Sequence, residues 1–246
     1  MKSISTSDVS LFVESHIGDF HRARLEGLEK LQLQKILKRK NPYLFKAKNI
    51  LTVSDLVKGI LDAHLSSQEE AIFGTFLESL AVYICKQVYG GDKSTAEGID
   101  LEFENRSIKY IITIKSGPNW GNSGQIKNMK ANFSKAKRIL RTNSHAKNIF
   151  AVNGCCYGQD KHPDKGEYFK YCGQSFWTLI SGNAKLYTEI IEPLGHKAKE
   201  RNKEFMEEYG RIINKFTLEF IKRFCRRDGS IDWVALVKYN SEKLDS

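Results

Sequence analysis

Residues 98 to 115, GIDLEFENRSIKYIITIK, place the tightest constraint on the fold. Ile99, Leu101 and Phe103 alternate with Asp100, Glu102 and Glu104. A period of two gives a strand one apolar and one polar face. A second strand, roughly 107 to 115, puts Thr113 and Lys115 on a common face. A two-residue turn at Asn105-Arg106 would set Asp100 opposite Ile111 and diagonal to Thr113. Lys115 then reaches the same place through its long side chain.

The flanks read as helices. Val9, Phe12, Val13, His16 and Ile17 carry helical spacing in a run from 7 to about 40, which NPYLF then breaks. A helix is expected over 53 to 65 and another after it, started by a Ser67/Glu70 capping box and stopped by Gly90-Gly91. Phe73, Phe76, Leu77, Leu80, Ile84 and Val88 form the apolar face of that second helix, and Glu78 lies at its edge, about 140° round from Phe73. A helix over 123 to 142 and a strand in AKNIFAVNGCCYG follow the paired strands, and the tail from Leu186 is mostly helical. The order helix, strand, strand, helix, strand implies an α/β core with a mixed central sheet. One domain over 1 to 246 is expected, with an N-terminal helical segment (1 to 65), a core (66 to 185) and a C-terminal helical segment (186 to 246).

Charge points to the partner. Lys and Arg exceed Asp and Glu by 39 to 29, giving a net charge of +10, a balance that favours a polyanion. The excess is local: 116 to 159 holds no Asp or Glu, but does hold Lys127, Lys130, Lys135, Lys137, Arg138, Arg141 and Lys147. A phosphate backbone would bring its charge to such a surface. KILKRK, at 35 to 40, reads instead as a solvated helix face. No run approaches the roughly 18 apolar residues of a membrane span, and MKSISTSDVS lacks the apolar core of a signal peptide, so the expected location is the cytoplasm, with no membrane partner. Five cysteines suit reduced thiols better than a disulfide framework. Cys155, Cys156, His162 and Cys172 raise a zinc alternative, but they lack the two CxxC-like pairs of a strong zinc signal.

The paired strands suggest chemistry. A carboxylate can ligate Mg²⁺, and an ammonium beside it can position a water or stabilise a pentavalent phosphate. Asp100 and Lys115 fit those roles, but Thr113 fills the slot two residues before the lysine where a second acid would share its face. The acid-free window excludes a donor just downstream, so the acid must come from upstream. Glu78 is the first choice, Glu70 and Glu102 follow, and Glu97 ranks last because it alternates to the Ile99 face. The competing reading is a surface ion pair between Asp100 and Lys115, with Thr113 an ordinary strand former. SGPNWGNSGQ, at 116 to 125, enters the basic helix; its amides suit a phosphate, Asn119, Asn122 and Gln125 suit base edges, and Trp120 suits stacking or core packing.

At these residues the chain resembles the PD-(D/E)XK nuclease superfamily. Its wider wording, in KNPYLFKAKN, EEAIFGTFLESLA, GIDLEFE, IKSGPNWGNSGQ, NGCCYG and YCGQSFW, resembles type II restriction endonucleases of the PmeII-like kind. The resemblance implies a restriction-endonuclease-like fold and cleavage of double-stranded DNA with Mg²⁺, Mn²⁺ being a substitute, by a homodimer. It matches Asp100 to the family's metal-binding aspartate, Lys115 to its catalytic lysine, Glu78 to a further helix ligand and Gln125 to a glutamine after the lysine strand. The Thr113 or Ile114 backbone carbonyl would complete the site, Ile114 being preferred. Lys127, Lys130, Lys137 and Arg138 would lie along the phosphates. Two alternatives remain: a repair or recombination nuclease that reads structure, and an inactive nuclease-like DNA-binding module, the latter motivated by Thr113.

Overall fold

The structure, a computed structural model, describes residues 4–143 and 148–243. Four strands form one sheet in the order β1 (Leu101–Asn105), β2 (Ile108–Lys115), β3 (Ile149–Cys155), β4 (Phe169–Cys172). β1 and β2 are antiparallel, and β2, β3 and β4 run parallel. The crossover from β2 to β3 is α5 (Ser123–Asn143). This is the mixed α/β sheet flanked by helices that the strand pattern implies. β4 is a strand the sequence pattern does not mark, because four residues are too few to display a period.

The hairpin register differs from the expected one. Leu101 pairs with Ile112 and Asn105 with Ile108, so the turn is Arg106-Ser107, with φ of 50° and 63°, and not Asn105-Arg106. Two positive φ values are what a primed two-residue turn needs. Neither residue is a preferred one there, so packing elsewhere decides. Tyr89, Phe103 and Tyr110 stack in series, with centroids 4.8 and 4.7 Å apart. Registers two residues apart share the same alternation, and cross-strand ring pairs of this kind choose between them. The shift carries Asp100 from Ile111 towards Thr113, nearer Lys115.

Two further expectations change. The helices expected at 53 to 65 and from 67 onward are one helix, α4 (Val53–Tyr89). Ser67 does not cap it. Its hydroxyl donates back to the Ala63 carbonyl at 3.4 Å, as a mid-helix serine does. The box that starts α4 is Thr52/Asp55: the Asp55 N–H donates to Thr52 Oγ1 at 3.1 Å, and that hydroxyl donates to Asp55 Oδ2 at 2.6 Å. The run from 7 to 40 is α1 (Thr6–Glu29) and α2 (Leu33–Leu37), and NPYLF starts α3 (Pro42–Ala47). Asn41 is its N-cap and Pro42 occupies the first turn, where the missing N–H costs nothing.

The chain divides into two compact units, 1–18 with 73–196, and 19–72 with 197–246. The first holds the sheet, α5, α6 (Gln174–Ser181), α7 (Leu186–Glu189) and α8 (Ile191–Leu194). α5 lays Met129, Phe133 and Ala136 against Ile111, Ile149 and Ala151. The second is helical, with α9 (Ala198–Phe224) and α10 (Trp233–Ser241), around Leu56, Leu61, Ile212, Phe216 and Phe220. α4 supplies residues to both units. It is long and apolar enough to cross a membrane by length and composition, but Leu56, Val57 and Leu61 are buried in one unit and Leu80, Ala81 and Ile84 in the other.

Candidate active site

Asp100 stands just before β1, and three groups of β2 hold it. Its N–H donates to the Ile112 carbonyl at 2.8 Å. Its Oδ2 accepts the Ile114 N–H at 2.6 Å and lies 3.7 Å from Lys115 Nζ. The side chains are 24% and 31% exposed, so the pair is shielded but open to a substrate. The strand geometry also separates two candidate carbonyls. The Lys109 N–H donates to Asn148 and the Lys115 carbonyl accepts from Cys156, both at 2.9 Å, so odd-numbered residues of β2 bond towards β3. N–H and C=O of one strand residue point to the same side. Thr113 therefore faces β3, while Ile114 turns both groups towards Asp100, beyond the last β1 pair at Leu101.

The other acids are placed less directly. Glu78 pairs with Lys93 at 3.3 Å. Its region of α4 approaches the end of β2: Gly74 packs on Ser116, and burial together with the Glu78 charge pushes the Cys156 thiol up to about 12. The Cys156 N–H is the one bonded to the Lys115 carbonyl. Glu102 pairs with Lys109 at 3.5 Å and Glu97 with Lys135 at 2.9 Å, while Glu70 is exposed in the other unit. Among the described residues no three His, Cys, Asp or Glu side chains converge to hold a metal ion. The Asp100 carboxylate and, by strand geometry on the same side of β2, the Ile114 carbonyl are hard oxygens. They suit Mg²⁺, which keeps several waters and needs few protein ligands.

Trp120, expected to stack or to pack in the core, is packed against the core and stands behind Lys115, held by Asn153, which the pattern does not single out. The Lys115 ammonium lies 5.3 Å from the centroid of the Trp120 ring, within the range of a cation–π contact. Trp120 Nε1–H donates to Asn153 Oδ1 at 3.1 Å. Asn153 is 1% exposed and pairs across the sheet with Thr113, itself 2% exposed. The signal available in the sequence is an amide inside an otherwise apolar strand. The loop carrying Trp120 is pinned by Lys170, whose ammonium donates to the Pro118 carbonyl at 2.9 Å and pairs with Asp160 at 3.5 Å. A cleft of about 580 Å³, lined by Tyr157, Gln159, Lys161 and Gln174 among others, opens just past the ends of β3 and β4.

The basic helix is less uniformly basic in space than in sequence. Lys130 pairs with Glu167 at 2.6 Å and Lys135 with Glu97 at 2.9 Å. Lys137 donates to the Glu167 carbonyl at 2.9 Å, and burial with the neighbouring Arg141 charge holds its pKa below the usual lysine range. Lys127, Arg138 and Arg141 are exposed. Lys147 lies outside the described residues. Asn119 is exposed on the loop. Asn122 and Gln125 cap α5 reciprocally: the Gln125 N–H donates to Asn122 Oδ1 at 3.0 Å and the Asn122 N–H to Gln125 Oε1 at 2.9 Å. Their amide nitrogens are the ends left to meet a ligand.

All five cysteines are free. Cys155 and Cys172 are paired positions of β3 and β4, and burial raises the Cys155 thiol far above its ordinary value. Buried protonated thiols are poor metal ligands, and His162 is exposed.

The sequence model of the family described as type II restriction endonuclease EcoO109I matches residues 7–202, most of the chain and all four strands. No curated protein matches.

Proposed function

Since the chain belongs to the type II restriction endonuclease EcoO109I family, hydrolytic endonucleases acting on DNA, we propose that it cuts double-stranded DNA at a specific sequence in a Mg²⁺-dependent reaction built on Asp100 and Lys115. The observation that carries this reading is the Asp100 carboxylate held by the Ile114 amide, with the Lys115 ammonium 3.7 Å away at a strand end. The likeness of these residues to the PD-(D/E)XK pattern supports the same assignment.

In this reading Asp100 and the Ile114 carbonyl hold the metal, with Glu78 as a further ligand once it leaves Lys93. Bound there, Mg²⁺ would polarise the phosphate and favour ionisation of the attacking water. Lys115 donates hydrogen bonds to that water and to the phosphate oxygens, on which negative charge grows as the water oxygen bonds to phosphorus. A P–O ester bond breaks as the new bond forms; the proton lost by the attacking water passes to solvent, and the leaving oxygen takes one up from a solvent water. Thr113 holds no metal here; it faces β3. Lys127 and Arg138 lie along the phosphates with Lys130 and Lys137, and Asn119, Asn122 and Gln125 meet base edges. The family likeness favours a homodimer, in which the single site of each copy cuts one strand.

Plasmid cleavage by the purified protein in Mg²⁺, with and without EDTA, tests this. Discrete bands that EDTA abolishes are expected, and Asp100→Ala and Lys115→Ala should both lose them. A smear without fixed ends would favour a structure-reading nuclease. Intact plasmid together with DNA binding that survives Asp100→Ala would favour the inactive binding module that Thr113 suggests.

A further inference from the structure

We propose that Asn153 and Trp120 form a brace that positions the Lys115 ammonium, making Asn153 a positioning residue of the active site; this rests on Lys115 acting in the cleavage proposed above. A lysine ammonium sits on a flexible four-carbon stem and takes no fixed direction of its own. Here its distance to Asp100, 3.7 Å, is an ion-pair distance beyond a normal hydrogen bond. The other group facing it is the Trp120 ring at 5.3 Å. Trp120 stands on the Gly- and Asn-rich loop between β2 and α5, and one hydrogen bond fixes its indole edge, Nε1–H to Asn153 Oδ1 at 3.1 Å.

Asn153 is an expensive way to fill its position. It is 1% exposed in the inner strand β3, and among the described residues its buried Nδ2 has no hydrogen-bond partner. An indole nitrogen only donates, so the amide must turn its oxygen to Trp120 and its NH₂ away. The other contact to that oxygen is weak, the Cys155 thiol at 3.9 Å. An unsatisfied buried NH₂ is destabilising, and an apolar side chain of similar size would avoid the cost. A costly amide at a core position, spent on the indole that faces Lys115, marks a residue kept for the site more than for the fold.

Four proteins test this: the parent, Trp120→Phe, which keeps a ring but loses the N–H, Asn153→Leu, which loses the acceptor, and the double variant. All three variants break one bond, so each should slow single-turnover cleavage to about the same extent, roughly tenfold, and the double variant no further. DNA affinity measured in Ca²⁺ should stay within about twofold, and the thermal midpoint of Asn153→Leu should not fall, which separates positioning from a structural role. NMR gives a readout free of activity. In the parent, the Lys115 ε-methylene protons should be shifted upfield by the Trp120 ring, and in Asn153→Leu they should return towards ordinary lysine values. Unmoved Lys115 resonances in Asn153→Leu, cleavage close to the parent rate, or losses that multiply in the double variant would each overturn the brace. Should Asn153→Leu fail to fold, Asn153→Val, which keeps the Trp120 ring and removes the acceptor, carries the NMR measurement and Trp120→Phe the rate. If the parent itself cuts no DNA, the nuclease reading fails and the NMR result alone decides whether the brace exists.

Discussion

Two acid–lysine pairs lie in the same unit and differ in everything except their chemistry. Glu78 and Lys93 are 3.3 Å apart, closer than Asp100 and Lys115 at 3.7 Å. Distance alone would rank the first pair higher, but Lys93 is 69% exposed and lies outside any helix or strand, so the pair can part at little cost. In the second, a backbone amide grips the carboxylate, the lysine closes a strand, and a ring faces its ammonium. The lesson is that the supports around a pair mark a reacting site better than its separation does. Preorganised groups are worth more to a transition state than mobile ones.

The sharpest break of that contrast is Asp100→Asn, which keeps the shape and removes the charge. Cleavage should fall about a thousandfold or more in a single-turnover assay, while the fold, read by circular dichroism, survives. Lys115→Ala comes next, at about a hundredfold to a thousandfold in rate with DNA affinity nearly kept. Glu78→Gln should cost about tenfold and raise the Mg²⁺ concentration needed for half-maximal rate. Lys93→Ala should act in the opposite sense, lowering that Mg²⁺ requirement about twofold to threefold by freeing Glu78. An unchanged Mg²⁺ titration in both variants would remove Glu78 from the site. Smallest are the helix charges: Lys127→Ala and Arg138→Ala should each flatten the salt dependence of DNA binding by about one phosphate contact, and Lys130→Ala, already neutralised by Glu167, by less.

The sequence made the sheet core legible because period-two alternation survives without tertiary information, and Asp100 and Lys115 came with it. What it could not supply were choices between equivalent local patterns. Ser67/Glu70 and Thr52/Asp55 carry the same capping signature, and the one in use is the one preceded by a non-helical segment. The hairpin register depended on ring stacking across strands. Asn153 is marked in the sequence only as an amide inside an apolar strand; its burial and its bond to Trp120 come from the fold. The basic helix looked stronger than it is because Glu167 and Glu97, distant in sequence, fold onto it. Strand direction separates the two carbonyls that the likeness leaves open, turning that of Ile114 towards Asp100 and that of Thr113 towards β3.

The buried thiols offer a clock. Cys85, Cys155, Cys156 and Cys172 belong to the sheet-bearing unit, and burial pushes the Cys85 and Cys156 thiols up to about 12, where little thiolate forms near neutrality. Cys225 belongs to the helical unit and is half-buried, its thiol raised less far by burial and by Asp228. The four buried thiols of the sheet-bearing unit therefore react with an added reagent only as fast as that unit breathes, whereas half-buried Cys225 can react without such an opening. Mass spectrometry of the labelled peptides would time the opening of the sheet-bearing unit, with Cys225 as a faster internal reference in the same tube and without any engineered probe.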